Sequence, residues 1–468
     1  MRPSSPAPVS SHERRTLMPQ ALRIKTLITT MALTVAGVVA TAAPAYATPG
    51  NLDSTFGTGG VVTTDFGASP SEPEIANDMA IQPDGKIVTA GRAGVDQTPI
   101  GGDGAFGIAR YLPDGSLDPT FGTGGLVKTK FQAPPNRDIA RAVALQSDGK
   151  IVVGGTSGVF DTPAKLAMAR YNTDGSLDSS FGTGGMVLMN VSNGLGDAIR
   201  GLAVQPDGKI LGVGAAGGEN LLIRFNTDGS LDSSFGNGGT SQPVLGSSGH
   251  LFAMKLLSDG TFVAAGTGTT GANQGDFLVA RFTSTGALDS TFGTGGLTIT
   301  PITAQNDLVF DMAVAGNGQI ILAGEANSGD VLGVTGDTHF ALARYNANGS
   351  LDTSFGTAGI VDDNLTVNQD EARGIVLQSD GRIVVVGPRD GSNVHADPTT
   401  GSMAVVRYNA DGSRDTTFGT GGLATTMAGG SAAGARDVAL DSAGRIVVCG
   451  GAAMAGTGVD FAVARFQP

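Results

Sequence analysis

A single phrase returns seven times along the 468-residue chain, and this repetition constrains the fold more than any other feature. The clearest copy reads YNTDGSLDSSFGTGG, from Tyr171 to Gly185. Such regular spacing indicates a repeat protein, in which each unit must stack on its neighbours to bury its apolar face. The phenylalanine of the phrase stands at Phe56, Phe121, Phe181, Phe235, Phe292, Phe355 and Phe418.

Each repeat contains four short segments with strand character. In one full copy they cover residues 124–130, 141–146, 150–155 and 165–171. The segments are rich in β-branched side chains and are bounded by Gly and Asp, as strands are. Four strands in each of seven repeats predict an all-β, seven-bladed β-propeller with four antiparallel strands per blade.

Tight turns join the second and third segments of each repeat. One such turn is Ser147-Asp148-Gly149, and Asp-Gly supplies the positive φ values that short hairpins need. The chain starts its repeats with an outer-strand segment at 52–63 and ends with a third-strand segment at 461–466. By analogy with other propellers, we expect the N-terminal strand to complete the last blade and leave no open edge.

Residues 1–47 lie outside the repeats and have the pattern of a secretory signal peptide. Arg23 and Lys25 precede an apolar run at 26–43, and Ala-Tyr-Ala at 45–47 provides a small-x-small cleavage site. Arg14-Arg15 leaves twin-arginine export open as the route. We therefore expect residues 48–468 to form a secreted, extracellular propeller with no membrane span, and retention at the cell surface stays open.

The net charge and the cysteine content limit the binding partners and the covalent cross-links that this chain can have. The chain has a formal net charge of −13, and loss of residues 1–47, with five basic and one acidic residue, makes it −17. This balance argues against nucleic acid, which is bound by clustered Lys and Arg. Cys449 is the only cysteine, so no intrachain disulfide can form. We expect a monomer.

The phrases DGSLDSSFGTGG, QSDGKIVVGG and ARYN together resemble the bacterial delta-60 repeat family of predicted β-propellers. The resemblance covers residues 48–468 and implies the propeller fold. It implies no particular activity, because the family is defined by its repeat. The blade is also similar to those of NHL-type propellers, which serve mostly as binding platforms.

An Arg and an Asp recur eight positions apart in the repeated phrase, as Arg170 and Asp178 do. Residues present in every repeat are most simply explained as building the blade, so we expect each Arg to bond its Asp, or the turn backbone, and stabilise the blade corner.

Loops that differ between repeats are the expected place for recognition. The longest cover 93–105, 325–339 and 388–402. Two of them carry groups that could bind a cation or a basic ligand, although solvated loop acids are the competing interpretation. No cofactor is expected, and calcium stays open. The candidate metal ligands are Asp337, His339, Asp390, His395 and Asp397.

A second candidate site precedes the inner strands, at the predicted mouth of the central channel. Eight residues before the hairpin Gly, four repeats carry Arg, and three residues earlier several carry an acid. Two interpretations stay open: Asp–Arg pairs that join blades, or convergent polar groups for a sugar or carboxylate ligand. The candidate ligand-binding residues are Arg141, Arg200, Arg373, Arg436, Asp138, Asp197 and Asp370.

These features favour a secreted, noncatalytic binding or scaffold propeller that recognises a glycan, peptide or cell-surface partner through its variable-loop face. One alternative is a propeller enzyme, a lyase or hydrolase with its site at the channel mouth. That alternative requires a close acid–base pair, and no catalytic residue is identified from the sequence. Another alternative is a structural component of the cell surface.

Overall fold

The predicted strand segments are strands, and no helix occurs in the part of the chain that the structure describes. The structure is a computed structural model. It describes residues 48–67, 70, 72–94, 104–133, 136–158, 163–192, 196–246, 249–269, 275–327, 337–391 and 400–468. Within these ranges, accordingly, no helix could cross a membrane.

The described residues form twenty-eight strands, and most are four to nine residues long. They are β1 (Val61–Thr64), β2 (Ile75–Ile81), β3 (Ile87–Gly94), β4 (Gly104–Tyr111), β5 (Leu126–Thr129), β6 (Arg137–Leu145), β7 (Ile151–Gly158), β8 (Lys165–Tyr171), β9 (Met186–Met189), β10 (Asp197–Val204), β11 (Ile210–Ala216), β12 (Glu219–Phe225), β13 (Thr240–Ser241), β14 (His250–Leu256), β15 (Phe262–Gly268), β16 (Asp276–Phe282), β17 (Leu297–Thr300), β18 (Asp307–Val314), β19 (Ile320–Asn327), β20 (Thr338–Tyr345), β21 (Ile360–Asp363), β22 (Gly374–Leu377), β23 (Ile383–Arg389), β24 (Ser402–Tyr408), β25 (Leu423–Thr426), β26 (Ala432–Leu440), β27 (Ile446–Met454) and β28 (Gly458–Phe466).

The strands pair antiparallel in groups of four. Four sheets have the orders β10-β11-β12-β13, β14-β15-β16-β17, β18-β19-β20-β21 and β22-β23-β24-β25. A fifth has the order β1-β28-β27-β26, so the first strand of the chain pairs with the last. An eight-stranded sheet contains the groups β2-β3-β4-β5 and β6-β7-β8-β9, linked by one parallel contact between Gly104 and Arg137.

The turn between the first and second strand of each group has the predicted backbone. Its glycine has φ between 76° and 87° in every group, including those of Gly318 and Gly444, where Asp is absent. A side chain is strained at such φ values, so this glycine is a backbone requirement. The first strands of the groups (β2, β6, β10, β14, β18, β22 and β26) are called the channel strands below.

Apolar side chains fill the spaces between neighbouring groups. One cluster, for example, joins Val384 and Met403 of one group to Ala435, Val448 and Ala464 of the next. The seven repeated phenylalanines are fully buried. The core is therefore distributed between sheets, and each group depends on its neighbours for burial.

The predicted Arg–Asp pair is present in all seven repeats. Each arginine also lies over the ring of its own repeat's phenylalanine, with 4.4 to 5.2 Å from the guanidinium carbon to the ring centroid. The Asp, Arg and Phe of each repeat thus form one packed unit, which we call the corner. The ion pairs are Arg110–Asp118 (2.9 Å), Arg170–Asp178 (2.8 Å), Arg224–Asp232 (2.7 Å), Arg281–Asp289 (2.7 Å), Arg344–Asp352 (2.8 Å), Arg407–Asp415 (2.8 Å) and Arg465–Asp53 (2.8 Å).

Backbone hydrogen bonds link each corner to the next repeat. The amide after the corner phenylalanine donates to a carbonyl oxygen of the following repeat over 2.7 to 3.0 Å. In order these bonds are Gly57 to Asp114, Gly122 to Asp174, Gly182 to Asp228, Gly236 to Thr285, Gly293 to Asn348, Gly356 to Asp411 and Gly419 to Pro49.

Candidate functional site

One cavity is lined by the residue eight positions before the hairpin glycine in all seven groups. Its volume is about 290 Å³. The sequence predicted that these positions meet at a channel mouth, and the structure brings them together. They are Asn77, Arg141, Arg200, Phe252, Phe310, Arg373 and Arg436. We call this cavity the arginine pocket.

A β-bulge presents these side chains to the cavity. In six groups, the pairing register between the channel strand and its neighbour shifts at the pocket residue. In one of them, for example, the shift lies between Ala140 and Ala142, on either side of Arg141. Arg373 lies directly before the seventh channel strand, β22. Because a bulge places an extra residue on one strand and redirects its side chain, the fold repeats one device to line the pocket.

The bulge explains a glycine that recurs in the second strand of every group. At Gly155, a Cβ would lie 2.0 Å from the carbonyl oxygen of Ile139 in the bulged strand. The equivalent contacts in the other groups are 1.6 to 2.0 Å, so no side chain fits there. The strict recurrence of this glycine is visible in the sequence, but the repeat alone does not reveal its role. The set is Gly91, Gly155, Gly214, Gly266, Gly324, Gly387 and Gly450.

The pocket is rich in positive charge and has two aromatic walls. The guanidinium of Arg200 lies 4.6 Å from the ring centroid of Phe252, and that of Arg373 lies 4.1 Å from Phe310. Burial, together with the charges of Arg141 and Arg373, lowers the pKa of Arg200 to about 10. Burial and the charge of Arg373 also lower the pKa of Arg141. The arginines therefore repel one another, and an anion between them would relieve the repulsion.

Two of the four arginines leave a buried donor unused. The Nε atoms of Arg141 and Arg200 are buried and have no hydrogen-bond acceptor among the described residues. Arg373, in contrast, donates through Nε to the carboxylate of Glu371. Arg92, which also lines the cavity, donates to Glu72 over 2.5 Å. The pocket thus combines anchored arginines with arginines that can accept a new anionic partner.

The three predicted acids do not line this pocket. Asp138 accepts hydrogen bonds from the Phe131 amide (2.9 Å) and from Asn136. Asp197 and Asp370 likewise accept hydrogen bonds from the loop before their strands. The oxygens of these three acids thus hold the loop through hydrogen bonds.

A layer of acids lies one residue further along the channel strands. Asp78 accepts from the Val143 amide (2.6 Å), Asp437 from the Met79 amide (2.9 Å), and Asp311 from the Ile375 amide (3.0 Å). These bonds join neighbouring channel strands. The repeat pattern does not reveal this layer, because the acids occur in only three repeats and no periodic signal marks them.

The acids of this layer influence one another's ionisation. Burial raises the pKa of Asp437, and the neighbouring carboxyl of Asp78, with which it shares a hydrogen bond, raises it further. Lys255 is close enough for the charge of Asp311 to raise its pKa. Along the channel strands, the arginine layer is thus followed by an acidic layer with one lysine.

The structure describes three of the five loop residues proposed as metal ligands. His339 lies between Asp362 (2.7 Å from Nδ1) and Asp337 (3.3 Å from Nε2). Although burial opposes protonation, these carboxylates raise the pKa of His339, as expected for an ion pair. Asp390 accepts a hydrogen bond from the side chain of Asn368. The last two candidates, His395 and Asp397, lie outside the described residues.

Comparison with known proteins gives a family model but no characterised relative. Six stretches match the model described as "Domain of unknown function (DUF5122) beta-propeller", at 82–121, 146–181, 205–235, 257–292, 315–355 and 378–418. No curated protein matches the chain.

Solved structures with a similar arrangement include three of low sequence identity. A protein of unknown function from Dyadobacter fermentans DSM 18053 is 12% identical, with a TM-score of 0.42, covering 87% of this chain and 99% of that one. Drosophila Plexin A, in complex with Semaphorin 1b, is 7% identical, with a TM-score of 0.43, covering 87% and 86%. A neuraminidase-like protein from A/bat/Guatemala/164/2009 is 10% identical, with a TM-score of 0.39, covering 69% and 87%. The six family matches and the repeated four-stranded groups together identify the chain as a β-propeller repeat protein.

Proposed function

We propose that this chain is a secreted, noncatalytic binding propeller of seven blades that recognises a carboxylate group of a glycan or peptide at the arginine pocket. The delta-60 resemblance, the export signal at 1–47 and the extracellular location belong to the same proposal.

Two observations support a closed ring of seven blades. The corner-to-corner hydrogen bonds pass through all seven repeats, and the last runs from Gly419 back to Pro49. Strand β1 pairs with β28 over four residues, from Val61 opposite Ala464 to Thr64 opposite Phe461. A ring joined in this way has no unpaired edge between its first and last blades.

One observation carries the proposed binding role: Arg141 and Arg200 face a shared cavity with buried, unpartnered Nε atoms. A buried donor without an acceptor costs about 1 to 3 kcal/mol. The positively charged neighbours add repulsion, so the arrangement costs stability unless an anion binds. A binding site is a physical reason to keep such an arrangement in the fold.

The chemistry of the pocket favours a carboxylate on a small, partly apolar group. Guanidinium groups bind carboxylates through paired, directional hydrogen bonds. The rings of Phe252 and Phe310 supply apolar walls, and a cavity of about 290 Å³ suits a group the size of one sugar or amino acid. An acidic sugar unit or a peptide carboxylate fits these requirements.

The acidic layer bears on the enzyme alternative, because Asp78 and Asp437 are a close carboxyl pair of the kind that acid–base catalysis uses. Both carboxylates, however, accept backbone amides from neighbouring channel strands. That role in joining strands accounts for their position, and binding is the function that the arginine pocket supports better.

A thermal-shift panel tests the proposal. It would compare galacturonate oligosaccharides with their neutral galactose counterparts, and an acidic peptide with its amidated form. We expect the carboxylate-bearing members to raise the melting temperature and the matched neutral members to leave it unchanged. Equal shifts for charged and neutral members, or no shift with any member, would overturn the proposal.

A further inference from the structure

Three carboxyl groups meet where the first strand of the chain pairs with the last. Asp65 directly follows β1, Asp460 lies in β28, and Glu74 directly precedes β2. One carboxylate oxygen from each lies within 4.8 Å of the others. We call this group the seam cluster. It joins the N-terminal strand, the C-terminal strand and the first channel strand.

Two members of the seam cluster are buried. Asp460 is 4% exposed and Glu74 is 1% exposed, whereas Asp65 is exposed at the surface. Burial raises the pKa of Glu74 to about 7, and the charge of Asp65 adds to the shift, although the charge of Lys128 and the amides of Phe66 and Gly94 oppose it. Bringing three carboxylates together in this way is unfavourable unless positive charge compensates them.

Local hydrogen bonds satisfy only part of the cluster. The carboxylate of Glu74 accepts the amides of Phe66 (2.7 Å) and Gly94 (3.3 Å). Asp460 accepts the hydroxyl of Thr457 through Oδ2 (2.7 Å). Its other oxygen, Oδ1, is buried and has no hydrogen-bond partner in the described part of the chain. A buried carboxylate oxygen without a hydrogen-bond partner, within a cluster of acids, is suited to bind a cation.

Building a blade does not require this cluster. In another group, Asp276 occupies the position equivalent to Asp460, and Asp307 occupies the position equivalent to Glu74. The Asp307 amide donates to Gly275 over 2.7 Å, just as the Glu74 amide donates to Val459 over 2.7 Å. There, however, Pro301 follows β17 where Asp65 follows β1. The third acid is therefore specific to the seam.

We propose that Asp65, Glu74 and Asp460 bind a calcium ion that bridges the first and last strands of the chain. Carboxylate oxygens are the ligands that calcium prefers, and its flexible coordination tolerates an irregular set completed by water. Magnesium demands a more regular geometry and should bind more weakly. Because the ligands come from both ends of the chain, calcium would stabilise the seam by binding the folded state alone.

Calorimetric titration of the chelator-treated chain with calcium chloride tests this site, together with melting in calcium and in EDTA. We expect the wild type to bind calcium and to melt at a higher temperature with it. Asp65→Asn and Asp460→Asn should each weaken binding at least about tenfold. Asp276→Asn, the matched residue of another group, should leave binding unchanged.

Because Asp65 is exposed, the Asp65→Asn variant should fold. It therefore decides the result if the Asp460→Asn variant does not fold. Absence of calcium binding by the wild type would overturn the proposal. So would wild-type affinity in Asp65→Asn, which would place any bound calcium elsewhere. Arg200→Met should bind calcium normally, since the arginine pocket and the seam cluster are separate.

Discussion

The amide of Gly419 donates a 3.0 Å hydrogen bond to the carbonyl oxygen of Pro49. Every other corner makes the same kind of bond with the repeat that follows it. Here the bond joins the last corner to the residues that precede the first repeat. The nearby pair Arg465–Asp53, at 2.8 Å, likewise completes a corner from residues at opposite ends of the chain. Stability should therefore depend strongly on the first residues of the repeats.

Deletion of residues 50–65 tests this dependence. The deletion removes β1, the partner of β28, together with Asp53, the partner of Arg465. It exposes the edge of β28 and removes the closest ion-pair partner of buried Arg465. We expect a sharp fall in the melting temperature relative to a chain that begins at Thr48. An unchanged melting curve would contradict ring closure by the N-terminal strand.

Replacement of Asp178 by Ala should lower the free energy of unfolding by about 1 to 3 kcal/mol, because buried Arg170 loses its ion pair. Asp174 provides a control in the same turn. Its exposed carboxylate accepts hydrogen bonds from Ser176, and its backbone bond to Gly122 survives the substitution, so Asp174→Ala should cost less than about 0.5 kcal/mol. Urea denaturation of both variants measures the difference, and equal losses would refute the structural role of the corner.

Gly155→Ala tests the bulge that supports the arginine pocket. The new methyl group would lie 2.0 Å from the carbonyl oxygen of Ile139, so the strands must separate or the bulge must change. We expect a loss of about 1 to 3 kcal/mol or more. Gly316 is the control, since a Cβ there meets no atom within 4 Å. If Gly155→Ala unfolds no more easily than Gly316→Ala, the second-strand glycine is not required by the bulge.

The acidic layer predicts a specific pH dependence of stability. Burial raises the pKa of Asp311 to about 6, although Lys255 opposes the shift, whereas an unfolded aspartate titrates near about 3.9. A carboxyl with a raised pKa in the folded state contributes stability when protonated, and this contribution is lost as the pH rises from about 4 through about 6. Asp311→Asn removes the titration.

The stability of the wild type relative to Asp311→Asn should therefore fall between pH 4 and about pH 6 and then level off. Denaturant unfolding of both proteins across this range measures it. A constant difference would show that Asp311 titrates normally in the channel.

The sequence predicted those parts of the fold that recur. The repeated phrase indicated the strands, the hairpins and the Arg–Asp corner, since a feature present in every repeat stands out without any structure. It also predicted that Arg141, Arg200, Arg373 and Arg436 meet, because equivalent positions in a propeller surround one axis.

Contacts formed by residues that do not recur could not be predicted in this way. Asp138 has the spacing expected of an arginine partner, yet its carboxylate turns back to the Phe131 amide. The seam cluster combines Asp65 and Asp460, which are almost 400 residues apart and share no motif. Such contacts depend on the direction of individual side chains, which repeat spacing does not encode.

Titration of the arginine pocket with citrate is the most direct test of the proposed function. Citrate is a small carboxylate probe, and calorimetry in metal-free buffer would compare the wild type with Arg141→Met, Arg200→Met and the hairpin control Arg382→Met. We predict that each pocket variant binds at least about tenfold more weakly, which corresponds to about 1.4 kcal/mol, while the control binds normally. Because the pocket arginines repel one another, the melting temperature of the pocket variants should not fall. Unchanged citrate binding with a lowered melting temperature would show that these arginines hold the blades together, and it would contradict the binding site.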